Sequence, residues 1–282
     1  MALVPVAEDA KTKSYYKYYE QGIASPTPEQ LEMVGCSRGT VEECLEIEDR
    51  NKMLEPNITY PARLGYYPTK DGGLLVAGNI AMPDVDADML YWWFAWHGLD
   101  PLRYAIWDPE DHYGAYSLDA PIGLAGNLSL KERYWNTTHI IVKDIGMGPQ
   151  NIHASFRDPK DMGFDYEKIG TPACGTIVTS IAGDGVVSQL MCHFLRETED
   201  GTELRTRFWM GWDVIRGKAV KVLPDGVRAP EEGCHKLLLH NIKEFTNLAA
   251  ILPEVSRNRK RYGKTLRFPR CADAPKFPRL SS

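Results

Sequence analysis

The chain has no CxxC pair. Its six cysteines, Cys36, Cys44, Cys174, Cys192, Cys234 and Cys271, are scattered over 282 residues. That spacing excludes zinc-ribbon and thioredoxin-type motifs and favours reduced thiols over a disulfide framework. No apolar run approaches the ~20 residues that a membrane-spanning helix needs, so no membrane partner is expected. The opening MALVPVAEDAKTK lacks the charged start and apolar core of a secretory leader. A cytoplasmic location follows as an expectation, and the sequons at Asn57, Asn127 and Asn136 are then coincidental. No basic stripe is present and the formal net charge is −5, which argues against nucleic acid. The short run Arg257 to Lys264 reads as a solvated surface. There is no internal repeat and no low-complexity tract. What remains is a globular composition, 43% hydrophobic and 25% charged, in a chain long enough for a large core.

The N-terminal part reads as helical and irregular. Thr27-Pro28-Glu29-Gln30 has the Thr cap, early Pro and Gln of a capping box. Thr40-Val41-Glu42-Glu43 repeats the signal and predicts a helix to about Leu54. Tyr15, Tyr16, Tyr18 and Tyr19 crowd one stretch, which suits packing against a neighbouring subunit. After Tyr60-Pro61 the pattern changes, and residues 1–70 are expected to form a small helical domain ahead of a larger one over 71–282.

In that larger region 73–82 reads as a buried strand. A short helix over 89–97 follows, capped by Asp84 or Asp86 and ended by Gly98 with Pro101 beyond. Its Tyr91-Trp92-Trp93-Phe94-Ala95-Trp96 is aromatic all round and must be buried. Residues 103–112 read as a strand edge that turns at Asp108-Pro109. Residues 137–144 form a strand, and 175–182, 186–197 and 202–214 a three-stranded meander turned at Gly183-Asp184-Gly185 and Asp200-Gly201. A long helix over 232–252, ended by Pro253, closes the pattern. A sheet followed by a long helix predicts an α+β fold with the helix lying across a curved sheet.

His240 and Glu244 stand four apart on that helix, so both project from one face and can share a metal ion. Read alone, His240 is as well explained as a hydrogen-bonded core histidine and Glu244 as a partner of Lys243 or Lys236. Upstream, His112 follows the Asp108-Pro109 turn. His193 falls on the more apolar face of its strand with Val187, Gln189, Met191 and Leu195, where it needs a structural or a catalytic partner.

Five ordered motifs then resemble one family. They are Trp92-Trp93-Phe94-x-Trp96-His97, Arg103-Tyr104-x-x-Trp107-x-Pro109-x-x-His112, Thr138-His139-x-x-x-x-Asp144-Ile145-Gly146, Arg205-x-Arg207-Phe208-Trp209-x-Gly211 and His240-x-x-x-Glu244. Together they are similar to the 2,4-diacetylphloroglucinol hydrolase / phloretin hydrolase family from about residue 60 onward. The resemblance implies a zinc-dependent hydrolase that cleaves the C–C bond between an acyl group and a phloroglucinol-type ring. It further implies a helix-grip catalytic domain, a small N-terminal helical domain and a homodimer. Position by position it makes His112, His240 and Glu244 zinc ligands, His193 a catalytic histidine and Tyr104 a substrate-site residue. The family's remaining ligand is a Glu just before Ile-Gly, where this chain reads Lys143-Asp144. A carboxylate can ligate zinc and an ammonium cannot, so Asp144 is the expected ligand, with Lys143 the alternative occupant of that position. Alternation puts the two on opposite faces of a regular strand. Trp93, Trp107, Phe208 and Trp209 are candidate walls of an aromatic pocket. Two rival readings stand beside the hydrolase: a non-enzymatic carrier of an apolar or aromatic ligand, and a zinc hydrolase of another β-diketone or polyketide.

Overall fold

The computed structural model describes residues 2–35, 37–56, 64–185 and 188–262. Cys36, Asn57, Tyr60-Pro61, the first residues of the expected 186–197 strand, Gly263-Lys264 and Cys271 lie outside them.

Among the described residues eight strands form one antiparallel sheet in the order β1-β2-β8-β7-β6-β5-β4-β3. They are β1 Gly65–Pro68, β2 Leu74–Ala81, β3 His112–Ser117, β4 Thr138–Asp144, β5 Pro149–Arg157, β6 Thr176–Gly183, β7 Ser188–Thr198 and β8 Gly201–Met210. A separate hairpin joins β9 Trp212–Ile215 to β10 Lys218–Lys221. The helices are α1 Lys17–Glu20, α2 Pro28–Gly35, α3 Ala87–Trp96, α4 Pro101–Ala105, α5 Ala120–Leu124 and the long α6 Glu231–Arg257. The fold is therefore α+β, with a large antiparallel sheet and a C-terminal helix. Among the described residues no helix is long and apolar enough to cross a membrane.

The meander β6-β7-β8 pairs as the turn signals foretell. Gly201 begins β8 at φ +112°, and a Cβ there would lie 2.8 Å from the Pro83 Cα, so the turn requires glycine. The capping box is present: Thr27 N–H donates to Gln30 Oε1 and Gln30 N–H to Thr27 Oγ1, at 2.8 and 3.3 Å. At α3 it is Asp86 that caps, accepting from the Met89 N–H at 2.8 Å.

Four expectations change. The Thr40 signal makes only a local bond, Thr40 N–H to Glu43 Oε2, and the regular segment is instead a 3₁₀ helix, Ile47–Leu54. Its three-residue period puts Ile47, Arg50 and Met53 on one buried side. Residues 101–105 are helical rather than a strand edge, because Asp100 caps the Leu102 N–H and Pro101 sits at the first position. Pro253 lies inside α6 and does not end it, since Leu252 and Val255 on either side remain buried in the core. Tyr15, Tyr18 and Tyr19 pack within the chain, with Tyr15 edge-on to Trp96 and Tyr262. Apart from these four, the expected boundary at 70/71 lies in the connection between β1 and β2, which pair with each other.

Apolar packing covers both faces of the sheet. On one face α6 brings Leu237, Leu238 and Ile242 to Val76 and Phe208, and Phe245 and Leu248 to the aromatic residues of α3. On the other face Leu45, Met53 and Leu54 cover Leu75, Phe194 and Trp209. Phe208 and Trp209 thus go to opposite faces, as period two demands.

Candidate functional site

The turn between α4 and β3 and the face of α6 meet at a group of buried side chains. His112 is delivered by that turn: the Asp108 carbonyl accepts the His112 N–H at 2.9 Å, and Asp108 Oδ1 accepts from Glu110 and Asp111 N–H. Asn247 of α6 ties the helix to the same turn by donating to the carbonyls of Ile106 and Trp107, at 3.1 and 2.9 Å. His240 and Glu244 come from the buried face of α6.

Three donor atoms converge. His112 Nε2 lies 3.2 Å from His240 Nε2 and 3.1 Å from Glu244 Oε2, and His240 Nε2 lies 3.4 Å from the same oxygen. Tetrahedral zinc with bonds of about 2.0–2.1 Å separates its ligand atoms by about 3.3 Å, so this triangle matches one face of such a tetrahedron. The outer contacts orient each donor. His112 Nδ1 lies 3.3 Å from the Tyr104 carbonyl, which can only accept, so Nδ1 carries the proton and Nε2 offers its lone pair. His240 Nδ1 faces Asp111 Oδ2 at 3.5 Å and Asp108 Oδ2 at 3.9 Å. Asn241 donates to Glu244 Oε1 at 3.2 Å while accepting from the Thr206 hydroxyl at 2.6 Å, which leaves Oε2 for the histidines.

Asp108, His112 and His240 also form a buried group whose ligand atoms lie within 4.8 Å of one another and could hold a metal ion. The two sets share both histidines. The set with Glu244 is tighter and uses Nε2 of each ring, whereas Asp108 faces the far nitrogen of His240, the position of an orienting carboxylate.

Lys143 and Asp144 separate as alternation requires. Lys143 is buried, cross-strand from His112, with Nζ 4.0 Å from Glu244 Oε2. Asp144 Oδ1 instead accepts from the N–H groups of Gly146, Met147 and Gly148 at 2.7, 3.0 and 2.9 Å. That carboxylate closes a turn, and the structure does not bring it to the histidines. Burial would raise the Glu244 carboxyl, but Lys143 and the two histidines outweigh it and hold it well below the usual carboxylate range. Asp111 is likewise pushed up by burial, yet His240 and Lys243 bring it down to about 2.

Beside this group opens a mostly apolar cavity of about 200 Å³, with Glu244, Lys143, Tyr104 and His193 in its wall. Tyr104 stacks on His112, and burial lifts its hydroxyl well above the usual phenol value. His193 lies between Phe94, Phe208 and Phe245 with no hydrogen-bond partner for Nδ1 among the described residues. Burial pushes it down to about 3, so it is neutral. Of the four aromatic residues named as candidate pocket walls, Trp107 and Phe208 line the cavity. Trp93 and Trp209 do not: Trp93 packs among Trp96, His97 and Trp107, and Trp209 donates to the Leu45 carbonyl on the other face of the sheet. Sequence reasoning missed Asp108, Asn241 and Asn247. The one available signal was that Asn241 sits beside His240 on a face that must be buried.

The phloretin hydrolase of Eubacterium ramulus is 39% identical over 259 residues, 91% of this chain and 94% of that protein. The 2,4-diacetylphloroglucinol hydrolase of Pseudomonas protegens is 26% identical over 262 residues, 88% of this chain and 85% of that one. A 2,4-diacetylphloroglucinol hydrolase from Pseudomonas sp. is 25% identical over 262 residues, covering 88% of each. Residues 45–257, which carry the sheet, the convergent histidines and Glu244, match the DAPG hydrolase PhiG domain, and the chain belongs to that family.

Proposed function

We propose that this chain is a zinc-dependent hydrolase that cleaves the C–C bond between an acyl group and a phloroglucinol-type ring, releasing the polyphenol and a carboxylic acid. The observation that carries the reading is the convergence of His112, His240 and Glu244 on one point, beside an apolar cavity that Glu244 lines. A carrier of apolar ligands would have no use for two imidazoles and a carboxylate buried together. The ligand set is His112, His240 and Glu244; Lys143 does not ligate while protonated, and Asp144 is engaged in its turn.

When bound, the metal supplies a Lewis acid and a water of lowered pKa. The chain's own groups do the rest. An acylphloroglucinol in its keto tautomer is a β-diketone, so the departing ring carbon leaves as a stabilised enolate. Water adds its oxygen to the acyl carbon, the C–C bond breaks, and the ring carbon takes a proton. His193, neutral and unpartnered at Nδ1, moves that proton. The Tyr104 hydroxyl, kept protonated by burial, donates a hydrogen bond to a ring hydroxyl or the acyl oxygen. Trp107 and Phe208 hold the ring and exclude water. The packing of α6 against the sheet supports reading the catalytic domain as a helix-grip architecture, and a homodimer belongs to the same reading.

The test is elemental analysis of the purified protein together with loss of acylphenone absorbance on incubation with phloretin and with diacetylphloroglucinol. Stoichiometric zinc and chelator-sensitive turnover are expected, with turnover abolished in His193→Ala. A metal-free protein that needs no metal, or a fully active His193→Ala, overturns the reading.

A further inference from the structure

Lys143 stands in the middle of an apolar stripe. By the period of a strand Ile141, Lys143 and Ile145 share one face along β4 and its end, and all three line the cavity. A buried ammonium carries three donors and is costly unless charge and acceptors meet it. Among the described residues Lys143 makes no hydrogen bond, and its one ion pair, to Glu244 Oε2, spans 4.0 Å. Glu244 is committed elsewhere: Oε2 lies 3.1 and 3.4 Å from the two histidine Nε2 atoms, and Oε1 accepts from Asn241. Lys243 on α6 shows how a lysine that serves the fold is held. Asp108, Glu110 and Asp111 surround its Nζ at 3.3, 2.9 and 2.6 Å.

The charge of Lys143 also reaches the groups that do the chemistry. It helps to hold the Glu244 carboxyl low and opposes protonation of His193 and His240. Lys143, Tyr104, His193 and Glu244 bound the same space. The reaction proposed above places negative charge in that space. A ring hydroxyl beside an acyl group is a vinylogous acid and ionises more readily than a simple phenol. A fixed cation in a cavity that excludes water is worth most where such charge develops.

Resting on the function proposed above, we infer that Lys143 is a substrate-binding residue for an anionic ring oxygen. Its ammonium pairs with the ionised hydroxyl next to the acyl group, so the site takes acylphloroglucinols as phenolates. One proton of the attacking water reaches the ring carbon through His193, and the water oxygen bonds to the acyl carbon. The electron pair of the broken C–C bond returns to the ring oxygen that faces Lys143. Lys143 keeps its own proton throughout.

The experiment uses 2,4,6-trihydroxyacetophenone and metal-loaded His193→Ala, which is expected to bind without turnover. The absorbance spectrum of the bound ligand is recorded one pH unit below the pKa of the free ligand. A phenolate spectrum is expected with Lys143 in place and with Lys143→Arg added. Adding Lys143→Met at equal metal loading should give the neutral phenol spectrum and weaken binding about ten- to hundredfold. In the otherwise unaltered enzyme, Lys143→Met should lower kcat/KM by a similar factor, with part of it restored in Lys143→Arg. A neutral phenol spectrum with Lys143 in place overturns the inference, as does an undiminished phenolate spectrum in Lys143→Met. A phenolate held through Lys143 by an unaltered enzyme that turns over no acylphloroglucinol instead overturns the function on which the inference rests.

Discussion

The ring of Tyr104 lies flat on the ring of His112, with centroids 4.0 Å apart and planes within 4°. One residue thereby serves the histidine twice, since its carbonyl also accepts from His112 Nδ1. The hydroxyl is free of both duties. Tyr104→Phe is therefore expected to keep the metal, measured by elemental analysis, while kcat/KM falls about ten- to hundredfold, the worth of a hydrogen bond of about 1.5–3 kcal/mol. Loss of metal in Tyr104→Phe would show that the hydroxyl acts on the site and not on substrate.

Asn241 fixes Glu244 from behind. Its amide holds Oε1 and its own oxygen is held by Thr206, so Oε2 is aimed before any ion arrives. Asn241→Ala should weaken metal binding about 10- to 100-fold, the usual cost of removing an orienting partner. Competition with a chelator of known affinity measures this. Unchanged affinity would mean that Glu244 is oriented by the histidines alone.

Much of this site was legible in the sequence because it rests on local periods. His240 and Glu244 share a helix face by spacing alone, and Gln189 and His193 share a strand face for the same reason. The place of His112 beside them depends on the Asp108 turn and on the pairing of β3 with β4, which are tertiary facts; motif resemblance supplied that link. The choice between Lys143 and Asp144 was visible only as a choice. Alternation says that one points inward, but the Gly146-Met147-Gly148 turn that engages Asp144 decides which. Trp93 and Trp209 illustrate the opposite error. Aromatic residues mark burial well, yet a sheet packed on both faces has more than one place to bury them.

Lys143 stands cross-strand from His112 and 4.0 Å from the Glu244 carboxylate. Replacing its ammonium by a carboxylate on a side chain of similar reach would offer the ion a further oxygen. Lys143→Glu should therefore retain zinc at chelator concentrations that strip the unaltered protein, with affinity raised at least about tenfold, or about 1.4 kcal/mol. Lys143→Met, which removes the cation and adds no ligand, is the control. Equal retention in Lys143→Glu and Lys143→Met would show that position 143 does not reach the ion.

His139 and His97 are buried side by side, ring centroids 5.6 Å apart. A Cβ at position 98 would fall 2.2 Å from His139 Cε1, so Gly98 is what lets the ring in. Burial pushes His139 down to about 3, helped by the repulsion that a protonated His97 would add, and pushes His97 down to about 4. Both are neutral in the folded protein, whereas the unfolded chain takes up protons below about pH 6.5. The unfolded state thus binds more protons in that window, and stability, complete above pH 6.5, is lost as the pH falls toward 4 and then 3. Each histidine contributes a slope of up to about 1.4 kcal/mol per pH unit. Urea unfolding at pH 7.5, 6 and 5 should show the decline, and His139→Gln should make it shallower by about one histidine's share. An equally steep decline in His139→Gln would mean that His139 is protonated in the folded protein and that its cavity admits water.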